Sequence, residues 1–109
     1  MATLYKVLGN TNPAPTTESP LYTCPGNTQA IVSTINVCNQ AALSASFRVA
    51  IRPGGATLNN SHYLAYDTSI PANDSIALTM GITLSGTDVI TVYASSSTLS
   101  FLAFGTEIF

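Results

Sequence analysis

"ASFRVAI", residues 45–51, decides how this chain is read. Phe47, Val49 and Ile51 alternate with Arg48, Ala50 and Arg52, and side chains of a strand point to opposite faces in turn. The stretch is therefore a strand with one apolar face, and its other face carries two arginines whose Cα atoms lie about 13 Å apart. No window of the chain sustains apolar residues at helical spacing, so the same short alternation governs what lies on either side.

Working outward, "TLYKVLG" (3–9) is a first strand and "NTNPAPTTESP" (10–20), with three prolines, an extended arm or long loop. "LYTC" (21–24) and "AIVSTINVC" (30–38) follow as two strands joined by a turn at Pro25–Gln29. In the second of these, Ile31, Ile35 and Val37 share a face. Beyond 45–51 come a loop at 53–60, "HYLAYDTSI" (62–70), a turn at 71–74, and "SIALTM" (75–80) with Ile76, Leu78 and Met80 inside. A second turn (84–88), "VITVYAS" (89–95) and "LSFLAF" (99–104) lead to a closing "GTEIF". About eight strands at short, regular spacing predict a single all-β domain, an antiparallel β-sandwich or jelly roll, with an up-and-down barrel as the alternative. The only division visible is between residues 1–20, a strand plus Pro-rich arm, and a sandwich over 21–109.

Charged residues make up 7% of the chain, with a net charge of −2 and only three cations, against about 25% charged residues in an average soluble domain. Such a balance excludes a phosphate-backbone binder, which needs a clustered basic footprint. No apolar run reaches the roughly 18 residues of a membrane helix. Nor does the N-terminal stretch carry a signal-peptide pattern, which leaves the cytoplasm as the expected site of synthesis. Water must be met instead by 27 Ser and Thr and 8 Asn. A surface of hydroxyls and amides suits close docking, because few long charged side chains must be desolvated or immobilised. It also suffices for plain solubility.

Catalytic signatures are missing. His62 is the only histidine, and no G-x-S-x-G, H-E-x-x-H or P-loop pattern occurs. Its place at a strand start points to a structural role. Two cysteines and one histidine lack zinc-site spacing, so no metal or cofactor is expected. Asp74 and Asp88 precede strands and read as turn residues that accept backbone N–H groups. If 21–24 and 30–38 form a hairpin, Cys24 and Cys38 stand roughly 26 Å apart. A disulfide needs its Cα atoms within about 7 Å, so both thiols are expected to be free. The Asn59–Asn60 loop with Tyr63 is the one place where amides and an aromatic gather as a sugar-binding module requires.

The segments "LYKVLGNTNPAPTT", "LYTCP", "VSTINVCNQ", "FRVAIRPGG", "HYLAYD", "PANDSIALTMGITLSGTDVITVYAS" and "FLAFGTEI" together resemble small β-sandwich virion proteins of tailed bacteriophages, the cyanophage-type head decoration and cement proteins. The resemblance spans nearly the whole chain and lies in segment order. It implies a non-enzymatic, high-copy protein that cements the phage head surface by bridging capsomers. The partners it implies are the major capsid protein and copies of the chain itself, as a homotrimer, with no nucleic acid and no membrane. A tail, baseplate or fibre component, or a sugar-binding adhesion module, are the alternatives. On this reading Arg48 and Arg52 are candidate anchors for a partner's carboxylates, unless they pair within the chain, with Asp67 or Glu107. Tyr5, Pro13 and Pro15 join them from the arm. Phe104, Ile108 and Phe109 form an apolar tail that either packs on another subunit or folds back over its own sandwich.

Overall fold

The structure, a computed structural model, describes residues 1–109. Nine strands follow one another: β1 (Thr3–Thr11), β2 (Ser19–Thr23), β3 (Gln29–Asn39), β4 (Ala45–Arg52), β5 (Tyr63–Ile70), β6 (Ser75–Leu78), β7 (Ile82–Leu84), β8 (Val89–Ala94) and β9 (Leu99–Ile108). They build two antiparallel sheets. The first has the order β1–β9–β3–β6, with β7 also on β3, and the second β2–β8–β4–β5. β6 and β7 pair with successive parts of β3 and act as one interrupted strand. Counted so, first pairs with last, second with seventh, third with sixth and fourth with fifth. That is a long hairpin rolled into two facing sheets, the jelly roll, and it rules out the up-and-down barrel.

The core lies between the sheets. Phe47 from the second sheet meets Phe101 from the first edge-on, with ring centroids 6.2 Å apart and planes at 73°. Val32, Ile35 and Val37 of β3, Val49 of β4, and Ile90 and Val92 of β8 fill the rest, all fully buried or nearly so. β8 is the most apolar strand because it is covered twice. Its inner side faces the core, and its outer side lies under Arg52 and the loop that follows β4.

Several expectations are corrected. β2 and β3 are not a hairpin: β2 pairs with β8 and β3 with β9, so the turn after Cys24 carries the chain from one sheet to the other. Both cysteines are free all the same. Ile31 is exposed, because an extra residue at Ser33 shifts the register between Val32 and Thr34. Such a bulge reverses which residues face inward, and Ala30 and Val32 take the inner positions. Met80 is exposed too, in the break between β6 and β7 where Gly81 turns at φ +63. A left-handed backbone of this kind suits glycine. "GTEIF" continues β9 as far as Ile108.

Residues 1–20 are built into the sandwich. β1 lies along β9, and the Ala2 and Phe109 backbones pair beyond it. In the crossover to β2, the Asn12 amide donates to the Ser97 and Leu99 carbonyls, and the Thr16 N–H to Ala94. Pro13 is buried. Gly9 lets β1 cross close to β2, since a Cβ there would fall on the Leu21 carbonyl.

Candidate functional site

Exposed apolar side chains gather on the outer face of the first sheet. Strand alternation and register set it out. Val7 stands opposite Phe104, Tyr5 opposite Thr106, and Ile31 opposite Thr106 on the other side. Tyr5 is 80% exposed, Val7 50%, Ile31 43% and Phe104 37%. Leu102 and Ile108 lie half-buried between them on β9. Two bulges create the face: at Leu8, which turns inward while Val7 turns out, and at Ser33, whose hydroxyl donates to the Phe104 carbonyl at 3.1 Å.

No charge reaches this face. Lys6 and Glu107 turn to the inner side at the sandwich's open end, where Lys6 Nζ lies 3.1 Å from Glu107 Oε1. The Tyr22 hydroxyl, on the opposing sheet, donates to Glu107 Oε2 at 2.5 Å. The Tyr22 hydrogen bond, and then Lys6, hold the Glu107 carboxyl below the ordinary glutamate range despite its burial. Burial and the same carboxylate push the Tyr22 hydroxyl well above the ordinary tyrosine range. Asp74 and Asp88 lie in turns, as their sequence context predicts. Asp74 accepts the Ser75 N–H; Asp88 accepts those of Gly54 and Ser85, which hold its carboxyl below the ordinary aspartate range.

The remaining charges belong to the second sheet. Arg48 lies between the rings of Tyr66 and Tyr93, its guanidinium carbon 4.2 Å from each centroid, and its Nε reaches Asp67 Oδ1 at 2.7 Å. Asp67 can reach it because a bulge in β5 places that residue at φ +47. Arg52 donates to Thr91 Oγ1 and to the Gly55 and Ala56 carbonyls. Both arginines thus serve the chain's own structure, and the pairing with Asp67 is the intramolecular one considered above. Glu107 pairs with Lys6 instead.

The sequence candidates therefore separate. Tyr5, Phe104 and Ile108 come together on the outer face of the first sheet, and Phe109, 55% exposed, stands at its end. The tail neither enters the core nor folds over the sandwich; it extends the central strand. Pro15 is exposed in the crossover, Pro13 is covered by its own chain, and Arg48 and Arg52 are on the opposite sheet. Val7 and Ile31 complete the face and escape sequence reasoning, because the bulges that turn them outward leave no mark on simple alternation. His62 accepts the Asn59 N–H at Nδ1, a structural role. No group of three His, Cys, Asp or Glu side chains comes together.

An uncharged, partly apolar face can be buried against another surface without stripping water from an ion. Beside it, β1 pairs only with β9 and leaves its other edge open for main-chain pairing. Comparison with protein-family models, curated proteins and solved structures finds no match.

Proposed function

We propose that this chain is a non-enzymatic structural protein of a tailed-phage virion. It acts as a decoration or cement subunit on the head surface, made in the host cytoplasm, and bridges neighbouring capsomers. The uncharged outer face of the first sheet carries the proposal. Burial of Tyr5, Val7, Ile31 and Phe104 supplies apolar area at no ionic desolvation. The open edge of β1 adds main-chain hydrogen bonds of the strand-addition kind. Contacts of this type, each weak, sum over a lattice. The partners on this reading are the major head protein and copies of the chain, assembled as trimers at capsomer junctions. The segment-order resemblance to small virion proteins supplies the setting.

Quantitative mass spectrometry of purified virions tests the setting. A ratio near one copy per head subunit, or one trimer per junction, is expected. A few to a few dozen copies would transfer the protein to the tail, baseplate or fibres, and complete absence would refute the proposal. Ile31→Asp and Phe104→Asp test the face. Both positions are exposed, so the fold should survive while occupancy of particles falls. Full occupancy by both variants would remove the face from the account.

A further inference from the structure

The loop between β4 and β5 folds back over the outer side of the second sheet. With the start of β2 it borders an open cleft of about 580 Å³, within the size range of small-molecule sites. Glu18, Ser19 and Pro20 line one side and Thr57 to Asn60 the other, while the sheet contributes Arg52, Thr91 and Tyr63. The loop is held in shape before any ligand arrives. Asn59 accepts from the Ser61 N–H at 2.8 Å, and its own N–H donates to His62 Nδ1 at 3.2 Å. Arg52 is fixed through Nε and Nη1, with Nη2 free. The Glu18 carboxylate, the Asn60 amide and the Tyr63 hydroxyl have no hydrogen-bond partner within the chain.

The cleft therefore presents an oriented donor, a carboxylate acceptor and an amide that does both, beside an aromatic ring. Glu18 and Arg52 cancel in charge, which disfavours an ionic ligand. Vicinal hydroxyls donate and accept at once and match such a set, and the C–H side of a pyranose packs against tyrosine. A second hollow of about 350 Å³, lined by Asn60, Tyr63 and Tyr66, shares two residues with the first and lengthens the site. Tyr66 is held there, edge-on to Tyr63 at 4.9 Å and with Arg48 over its ring.

We propose that this cleft binds a neutral saccharide of at least two pyranose units. The site lies on the sheet opposite the docking face, so a subunit docked by its first sheet would present it outward. Its existence does not depend on that docking.

Saturation-transfer and amide-shift NMR on the full chain test the assignment, with maltose, cellobiose, lactose, mannobiose and chitobiose as probes. At least one disaccharide should receive saturation and shift the amides of Asn60, Tyr63 and Thr91, more strongly than its monosaccharide does. Glu18→Gln and Asn60→Ala should each weaken binding about tenfold, equivalent to about 1.4 kcal/mol, with the far-UV spectrum unchanged. Ile31→Asp, on the other sheet, should bind like the parent, which keeps this test separate from that of docking. Silence from all five disaccharides would overturn the proposal. So would binding that neither cleft variant weakens.

Discussion

Tyr22→Phe should destabilise the protein more than its one lost oxygen suggests. The Tyr22 hydroxyl reaches across from the second sheet to Glu107 at 2.5 Å, and Tyr22 and Glu107 are 7% and 6% exposed. A hydrogen bond to a charged group contributes about 1.5–3 kcal/mol. Removing the donor also leaves Glu107 Oε2 buried without a partner, which places the loss near the upper end, about 2–3 kcal/mol. Lys6→Met should cost less, about 0.5–1 kcal/mol, because the Lys6 side chain is 40% exposed and its pair is screened by water. The double variant strands a buried carboxylate, so it should lose more than the two singles together. The pH dependence fixes the sign. Glu107 is held below the ordinary glutamate range when folded. Its stabilisation is complete above that range and fades as pH falls through the depressed folded value. The gap between parent and Tyr22→Phe should then narrow in acid, as Glu107 becomes protonated in both. Urea unfolding at neutral and acid pH measures all of this. A loss under about 0.5 kcal/mol at neutral pH, the scale of an ordinary surface substitution, would refute the reasoning, as would a gap that acid leaves unchanged.

Other outcomes follow from particular contacts. Gly9→Ala would push a Cβ onto the Leu21 carbonyl, a backbone atom that cannot swing aside, and should lower stability by about 1–3 kcal/mol in thermal or urea unfolding. A thiol reagent applied to the native protein should label Cys38 and spare Cys24, which is 1% exposed and whose thiol burial pushes up, until denaturant opens the core. Equal rates at both would contradict the packing. Asp67→Asn should loosen Arg48 from the Tyr66 and Tyr93 rings and reduce the near-ultraviolet tyrosine circular dichroism, with the far-ultraviolet signal intact.

Alternation alone identified most strands, because each sheet has one wet and one dry side and the turns between them are rich in Gly, Pro, Asn and Asp. It failed wherever the backbone inserts a residue. The bulge at Ser33 exchanges the sides of Ile31 and Val32, and the break at Gly81 sends Met80 outward. Pairing partners were beyond reach for another reason. β2 and β3 are neighbours along the chain, yet each finds its partners far downstream, in β8 and β9. Phe104, Ile108 and Phe109 were legible as surplus apolar residues, and Tyr5 as a candidate from the arm. Alternation puts Phe104 and Ile108 on one face, but that Tyr5 joins them depends on register, which local sequence does not encode. The sequence left Arg48 open between a partner's carboxylate and Asp67, because the bulge in β5 that brings Asp67 to Arg48 is not visible in composition.

Strand order also dictates when this molecule can come into being. Nothing in the first 44 residues pairs with anything else there: β1 waits for β9, β2 for β8, and β3 for β6, β7 and β9. The first pair available to a growing chain is β4 with β5. Folding must therefore close its longest loops last, a topology that folds slowly and exposes apolar strands meanwhile. The uncharged outer face of the first sheet is drawn from β1, β3 and β9, so it exists only once β9 has been made. A chain that stops before β9 lacks the strand on which Val7 and Ile31 are brought beside Phe104, so the proposed docking would select chains that have already folded.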